Sequence, residues 1–189
     1  MFLNFVPDAY YQNIAEIPYN TLYEQGIRLI LTDLDNTLLS YKEDAVSEAL
    51  LQWKKQMEEY PFEVIIVSNS RKKRVEKIAF ELGIDYVDFA KKPLKSGLKK
   101  ALKKAKKRYA HNQVMMLGDQ LMTDIFVGKR MGFYSVLIKA LDAKTEILPT
   151  KINRKLEAFV LGRIRKKDAD LYDRKLKKYV EDQQHANKM

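Results

Sequence analysis

Cysteine is absent from this chain of 189 residues. Disulfide bonds and zinc–thiolate sites are therefore excluded, which argues against a small secreted domain built on disulfides. Glycine and proline are scarce, with seven and five residues, so a collagen-like or linker-dominated protein is excluded as well. With 46% apolar residues, the chain can form one domain of ordinary size around a buried core.

Long uncharged segments are also lacking. The longest, residues 109–118, has ten residues, whereas a membrane-spanning helix needs about 20 mostly apolar residues. Residues 1–7 contain no basic segment and no cleavage-type sequence, so we expect no signal peptide. Together with the absence of cysteine, these features predict a cytoplasmic protein, and they leave peripheral contact with a membrane surface open.

Basic residues are scarce in the first third of the chain and abundant after it. Residues 1–70 contain 11 acidic and 4 basic residues, whereas residues 71–189 contain 14 acidic and 31 basic ones. Residues 91–108 hold ten Lys or Arg and no Asp or Glu. Such a field attracts polyanions, namely nucleic acids, anionic lipids or phosphate esters, and a lysine face that only keeps the protein soluble is the alternative. Apolar residues recur there at the spacing of a helix, at Leu94, Leu98, Ala101, Leu102 and Ala105.

Apolar runs typical of buried strands alternate with helical patterns along the first 138 residues. The runs cover residues 26–32, 62–67, 84–87, 113–117 and 133–138. The helical patterns cover residues 45–59 with Ser47 or Asp44 as N-cap, residues 71–82 before Gly83, a lysine-rich helix opened by Pro93, and residues 123–131 before Gly132. Strands separated by helices of this length predict an α/β fold with a parallel β-sheet sandwiched by helices.

A soft boundary near Pro149 divides the sequence into a domain of residues 1–150 and a tail of residues 151–189, with residues 1–25 as an N-terminal extension of the domain. The tail has 12 basic and 6 acidic residues. Four apolar residues predict an amphipathic helix in it, at Ile152, Leu156, Phe159 and Val160.

Both termini contain residues that could contact an anionic bilayer. At the N-terminus these are Met1, Phe2, Leu3, Phe5 and Val6; in the tail they are the helix of residues 152–162, the basic residues after it, and Tyr172 and Tyr179. The alternative is that both termini pack on the core of the domain.

Polar residues follow three of the predicted strands. Asp33 and Asp35 follow the first strand, Ser68 follows the second, and Asp119 and Asp124 follow the strand of residues 113–117. Ligands of open parallel sheets bind outside the carboxyl ends of the strands, so these side chains should converge. Four carboxylates at one edge would repel each other unless a cation joined them, and oxygen ligands favour a hard cation such as Mg²⁺.

Two aspartates separated by one residue suit phosphoryl transfer. Asp33 could attack phosphorus as a nucleophile, and Asp35 could protonate the leaving oxygen and later activate water. Ser68 could donate a hydrogen bond to a phosphoryl oxygen, and Lys92 could neutralise the transferring group. Lys91 is the alternative candidate for the role given to Lys92.

These residues resemble the four ordered motifs of haloacid dehalogenase-like (HAD) phosphatases. In chain order the motifs are Asp33-Leu-Asp-Asn-Thr-Leu38, Ser68-Asn69, Lys92-Pro93, and Gly118-Asp119 through Asp124. The resemblance implies that Asp33 is the nucleophile and a Mg²⁺ ligand, that Asp35 is the acid and base with its backbone carbonyl on the metal, and that Asp119 is a metal ligand.

The same resemblance implies supporting roles for the remaining motif residues. Ser68, Asn69 and Lys92 would bind phosphate, and Thr37 would brace the turn of the first motif. Asp124 would either bind the metal through water or support Lys92. Simple helix capping by Ser68, and a charge of Asp124 at a helix N-terminus, are the alternatives.

Little chain is left for a cap domain over this site. Only 34 residues separate Asp33 from Ser68, and only 23 separate Ser68 from Lys92. In each case a predicted helix and strand use most of them. The site should therefore be open, which favours a phosphate presented on something large or at a surface.

A narrower resemblance is to the YqeG-like branch of this superfamily, grouped with mitochondrial phosphatidylglycerophosphatases. It is carried by Pro7-Asp-Ala-Tyr10, Gly118-Asp-Gln120 with Thr123-Asp124, and residues 150–157. The resemblance implies removal of the terminal phosphate from phosphatidylglycerophosphate at a membrane surface. Two alternatives stay open: a soluble HAD phosphatase acting on a nucleotide, sugar phosphate or polynucleotide end, and a basic RNA- or ribosome-associated binder without enzyme activity.

Overall fold

Six parallel strands form one sheet in the computed structural model, which describes residues 2–142 and 148–186. In chain order they are β1 (Ala9–Tyr11), β2 (Leu29–Thr32), β3 (Glu63–Val67), β4 (Asp85–Val87), β5 (Val114–Gly118) and β6 (Tyr134–Ile138). Across the sheet they lie in the order β1, β6, β5, β2, β3, β4. The expected α/β class with a parallel, Rossmann-like sheet is confirmed.

The α-helices in the described part of the chain are α1 (Tyr19–Glu24), α2 (Glu48–Glu59), α3 (Lys72–Leu82), α4 (Ser96–Lys104), α5 (Phe126–Met131), α6 (Leu148–Lys167), α7 (Ala169–Lys175) and α8 (Lys177–Ala186). The Ser47 hydroxyl caps α2 by accepting a hydrogen bond from the Leu50 N–H (3.2 Å), as predicted. Asp44 is not the cap. The prediction that Pro93 opens the lysine-rich helix is wrong, because α4 begins at Ser96.

Helices cover both faces of the sheet, which explains why its central strands are continuous apolar runs. Successive residues of β2 point to opposite faces, so Ile30 packs with α1, α2 and α3, whereas Leu29 and Leu31 pack with α4 and α5. The side chains that α4 buries in this apolar cluster are those of Leu98 and Ala101. Leu94, which the helical spacing placed on the same face, is 58% exposed because it precedes the helix.

Several bounds differ from the sequence predictions at strand and helix ends. β2 begins at Leu29 rather than at Gly26, which has a positive φ of 98° and lies in the turn after α1. The helix predicted from Thr123 is a π-helical turn, Leu121–Ile125, followed by α5. β1 and α1 were not predicted, since three to six residues carry little periodicity.

The terminal segments pack together on the outer side of α5 and the π-helical turn. Val6 is buried there with residues of α6, α7 and α8, and Phe5 stacks on Phe126 with ring centroids 4.4 Å apart. The expectation that Tyr172 and Tyr179 could contact a bilayer is wrong, because both side chains are buried. The alternative, packing on the core of the domain, holds for Val6, Tyr172 and Tyr179. Met1 lies outside the described residues.

The connections over the carboxyl edge of the sheet are short. Between β2 and β3 the chain forms only α2 and its flanking loops, and between β3 and β4 only α3. These segments are too small for a cap domain, as the spacing predicted. Among the described residues, the helices are all too short or too polar to span a bilayer. The division of the chain at residue 150 stays a prediction.

Candidate active site

The ends of three neighbouring strands bring the predicted residues together. β2 lies between β3 and β5, so Asp33, Ser68 and Asp119, which each follow one of these strands, share one edge of the sheet. A cavity of about 330 Å³ opens at this edge. Its lining includes Asp33, Asp35, Ser68, Asn69 and Lys92.

Lys92 lies at the centre of the cluster. Its ammonium group donates to Asp33 Oδ1 at 2.7 Å and to Asp124 Oδ1 at 2.6 Å, and the residue is only 6% exposed. Burial opposes the charge, but the carboxylates of Asp124 and Asp33 raise the pKa of Lys92 above its usual value. Lys91, the rival candidate, is exposed. The lysine that reaches the carboxylates is therefore Lys92.

Asn69 holds the backbone of Lys92 in place. Its side-chain amide donates to the Lys92 carbonyl oxygen (3.1 Å), and its Oδ1 accepts from the Lys92 N–H (2.8 Å). Because both ends of this amide are used, the Asn69 side chain positions the lysine. A role for Asn69 in phosphate binding stays a prediction and would fall to its backbone N–H.

Asp124 is buried and its Oδ1 accepts the hydrogen bond from Lys92; its role, as support of Lys92 or as a metal ligand through water, stays a prediction. Its second oxygen accepts hydrogen bonds from the Gln120 N–H (3.2 Å) and the Thr123 hydroxyl (3.3 Å). The carboxylate is therefore fixed at both oxygens, and it holds the ammonium group beside Asp33.

Three buried carboxylates could hold a metal ion. One oxygen from each of Asp33, Asp119 and Asp124 lies within 4.8 Å of the others. Burial is the main cause that raises the pKa of Asp33, the charges of Asp124 and Asp35 add to it, and Lys92 opposes it, so that the pKa is about 7. With Lys92 as the neighbouring cation, the three carboxylates still leave two negative charges, which suits a divalent cation with oxygen ligands.

Asp35 is held apart from this carboxylate group by other partners. Arg74 Nε donates to Asp35 Oδ1 at 2.7 Å, and the Ser70 hydroxyl donates to Asp35 Oδ2. Neither partner was predicted from the sequence. The available signal was their position, since Ser70 follows the second motif directly and Arg74 lies in the first turn of the next helix.

Thr37 differs in detail from its expected role. Its backbone N–H donates to the Leu34 carbonyl oxygen (3.2 Å), which closes the turn of the first motif. Its hydroxyl is buried and has no hydrogen-bond partner among the described residues. The turn is thus braced by the backbone, with Asn36 at a positive φ of 62°.

A family model described as mitochondrial PGP phosphatase matches residues 3–141. The chain belongs to this family. "Probable phosphatase YqeG" from Bacillus subtilis (strain 168) is 31% identical over 163 residues, covering 86% of this chain and 93% of that protein. The prediction of a HAD-type phosphatase of the YqeG and PGP phosphatase branch is thereby confirmed. The alternative hypothesis, an RNA- or ribosome-associated binder without enzyme activity, is not supported.

Two solved HAD-type structures resemble the chain at low sequence identity. The putative HAD-hydrolase YfnB from Bacillus subtilis, bound to magnesium, is 13% identical with a TM-score of 0.46, over 71% of this chain and 98% of that chain. The cobalt-bound deoxy-D-mannose-octulosonate 8-phosphate phosphatase YrbI from Haemophilus influenzae is 14% identical with a TM-score of 0.48, over 73% and 89%.

A second, larger cavity of about 790 Å³ lies beside α2 in this member of the PGP phosphatase family. Leu38, Trp53 and Leu141 contribute to its lining, together with the acidic Glu43 and Asp142. Of the described residues that line it, none is Lys or Arg. It therefore suits a phosphate group less well than the cavity that contains Lys92.

Proposed function

We propose that this phosphatase hydrolyses a phosphate monoester through an aspartyl-phosphate formed on Asp33. The observation that carries the proposal is the buried pair of Asp33 and Lys92 at the carboxyl end of β2, inside a cavity that also contains Ser68. A nucleophilic carboxylate and a fixed ammonium group at one point are the two charges that phosphoryl transfer needs.

In the first step, a carboxylate oxygen of Asp33 attacks phosphorus as the bond to the leaving oxygen breaks. The electron pair of that bond goes to the leaving oxygen, which takes a proton from Asp35. Ser68 Oγ accepts a hydrogen bond from the Ser70 N–H (3.1 Å), which leaves its own proton for a phosphoryl oxygen. Lys92 balances the charge of the phosphoryl group.

In the second step, water attacks the phosphorus of the aspartyl-phosphate. Asp35, which lost its proton in the first step, takes a proton from that water. The bond between phosphorus and Asp33 breaks, inorganic phosphate leaves, and the carboxylate of Asp33 is restored. One residue thus serves as acid and then as base.

We propose Mg²⁺ as the cofactor, held by Asp33, Asp119 and the backbone carbonyl of Asp35, with Asp124 nearby. The clustered carboxylate oxygens and their excess negative charge support this choice. When bound, Mg²⁺ would stabilise negative charge on the phosphoryl group and lower the pKa of Asp33, so that the nucleophile is ionised at neutral pH.

The proposed substrate is phosphatidylglycerophosphate, presented at an anionic membrane surface. Membership of the PGP phosphatase family supports this choice of substrate. The residues around the opening of the cavity support its presentation at a membrane surface. Phe89 lines the cavity yet is 55% exposed, and Leu94, 58% exposed, follows on the same loop. The exposed side chains of Arg71 and Lys91 lie on the two loops that border this mouth. Apolar and basic side chains together favour an anionic lipid interface.

The test is release of inorganic phosphate with Mg²⁺ from phosphatidylglycerophosphate in anionic vesicles and from a soluble aryl phosphate. Asp33→Asn should abolish release from both substrates, since an amide is not a nucleophile here. Asp173→Asn, an exposed aspartate of α7, is the matched control and should retain wild-type activity.

The outcomes separate the parts of the proposal. Activity on the aryl phosphate alone would retain the chemistry and remove the lipid substrate, in favour of a soluble phosphate ester. Full activity of Asp33→Asn would contradict the aspartyl-phosphate. Activity that is unchanged by EDTA would contradict the metal.

A further inference from the structure

Arg74 ties Asp35 to the loop that follows the first motif. Its Nε donates to Asp35 Oδ1 (2.7 Å), its Nη1 to the carbonyl oxygen of Glu43 (2.9 Å) and the carboxylate of Asp44 (3.2 Å), and its Nη2 to the carbonyl oxygen of Ser40 (2.8 Å). Nε and both Nη atoms of the guanidinium therefore all donate hydrogen bonds. A side chain held at this many points has little freedom to move.

The two oxygens of Asp35 face chemically different partners. Oδ1 accepts from the Arg74 guanidinium, and Oδ2 accepts from the Ser70 hydroxyl. Asp35 and Ser70 line the catalytic cavity, whereas Arg74 is not among its lining residues. Arg74 therefore approaches the carboxylate from outside the cavity.

We propose that Arg74 is a positioning residue that decides which oxygen of Asp35 carries the catalytic proton. A guanidinium can only donate hydrogen bonds, so a proton on Oδ1 would compete with Arg74 Nε, and the pair favours the proton on the other oxygen. The Ser70 hydroxyl can both donate and accept, so it tolerates a proton on Oδ2. The proton is thus favoured on Oδ2, the oxygen beside the cavity-lining Ser70, where a leaving group can take it.

This inference rests on the proposed function, in which Asp35 protonates the leaving oxygen. Without Arg74 the carboxyl group could rotate, and the proton would be misplaced in the first step. The rate of that step would fall most for a substrate whose leaving oxygen is strongly basic, because such an oxygen needs the proton. A stable phenolate can leave without it. Attack by Asp33 itself would be intact.

The experiment compares kcat/KM of the wild type and Arg74→Ala on two substrates with Mg²⁺ present. One is p-nitrophenyl phosphate, with a good leaving group; the other is a short-chain phosphatidylglycerophosphate, an alkyl monoester. For Arg74→Ala we expect a loss of about 10²- to 10³-fold on the alkyl ester and less than about tenfold on the aryl ester. A burst of nitrophenolate should also appear. A carboxyl group of Asp35 that rotates freely is also a poorer base in the second step, so hydrolysis of the aspartyl-phosphate becomes slow.

Two further variants separate positioning from folding. Arg74→Lys keeps a cation but not the planar fork, so its loss on the alkyl ester should lie between those of the wild type and Arg74→Ala. Lys73→Ala, an exposed residue in the same turn of α3, should match the wild type.

Equal losses of kcat/KM on the two esters would overturn the inference, whether they arise from Arg74→Ala or, if that variant fails to fold, from Arg74→Lys. Retention of activity by Asp33→Asn would instead overturn the proposed function. The failures of the two proposals are therefore distinguishable.

Discussion

Gly118, the last residue of β5, makes room for the carboxylate that supports Lys92. A Cβ atom at this position would lie 2.3 Å from Asp124 Cγ and 2.5 Å from its Cβ. Neither atom can yield without moving the hydrogen bond between Asp124 and Lys92 (2.6 Å). The glycine is thus required by a close approach inside the site.

We predict that Gly118→Ala lowers kcat/KM on an aryl phosphate by about 100-fold or more, because a shift of about 1 Å in a positioned group can cost that much. Gly162→Ala in α6 is the control, since a Cβ there meets nothing within 4 Å. It should leave activity unchanged and raise the free energy of unfolding by up to about 1 kcal/mol. Wild-type activity of Gly118→Ala would contradict the close packing.

At the scale of elements, α6 to α8 form part of the buried structure around the site. Leu121 and Ile125 of the π-helical turn share one apolar cluster with Leu161 of α6 and Leu176. Hydrogen bonds also stabilise these helices. The Tyr179 hydroxyl donates to the Glu157 carboxylate (2.5 Å), and the Tyr10 hydroxyl donates to the Asp182 carboxylate (2.8 Å). The turn that carries Asp124 is therefore covered by the C-terminal helices.

We predict that Leu176→Ala lowers the free energy of unfolding by about 2–5 kcal/mol, because Leu176 is 0% exposed and its removal leaves a cavity. Leu156→Ala is the matched control on α6. Leu156 is 49% exposed, and its truncation should change the stability by no more than about 0.5 kcal/mol. Urea unfolding followed by circular dichroism measures both; equal effects would show that the C-terminal helices do not pack on the domain.

At the scale of the whole molecule, folding concentrates charge at one buried point. Asp33 has an ordinary pKa of 3.8, and burial raises the pKa to about 7 in the folded chain. Between these two values the folded chain binds a proton that the unfolded chain has released. The stability of the metal-free protein should therefore fall as the pH rises through this window, and the loss is complete above it.

We predict that in EDTA the free energy of unfolding falls by up to about 4 kcal/mol as the pH rises from 4 to 7, because of the titration of Asp33. Thermal unfolding of the wild type and Asp33→Asn across this range isolates the contribution, since other carboxyl groups titrate in both proteins. Mg²⁺ at pH 8 should raise the Tm of the wild type more than that of Asp33→Asn. Parallel pH profiles would contradict a raised pKa at Asp33.

The sequence by itself determined the edge of the sheet at which the candidate active site lies. Short apolar runs ending in Asp33, Ser68 and Asp119 are local signals, and a parallel sheet places the ends of its strands at one edge whatever else the chain does. The glycines that end α3 and α5 have positive φ values of 63° and 75° and were predicted for the same local reason.

Only the tertiary structure decided which partners these residues have. Arg74 lies 39 positions from Asp35, and Lys92 lies 59 from Asp33, so no periodicity links the members of either pair. Tyr172 and Tyr179 look amphipathic in sequence, but α6 to α8 fold back and bury them. Long-range contacts of this kind depend on how faces of distant elements fit together, which is a property of packing rather than of local pattern.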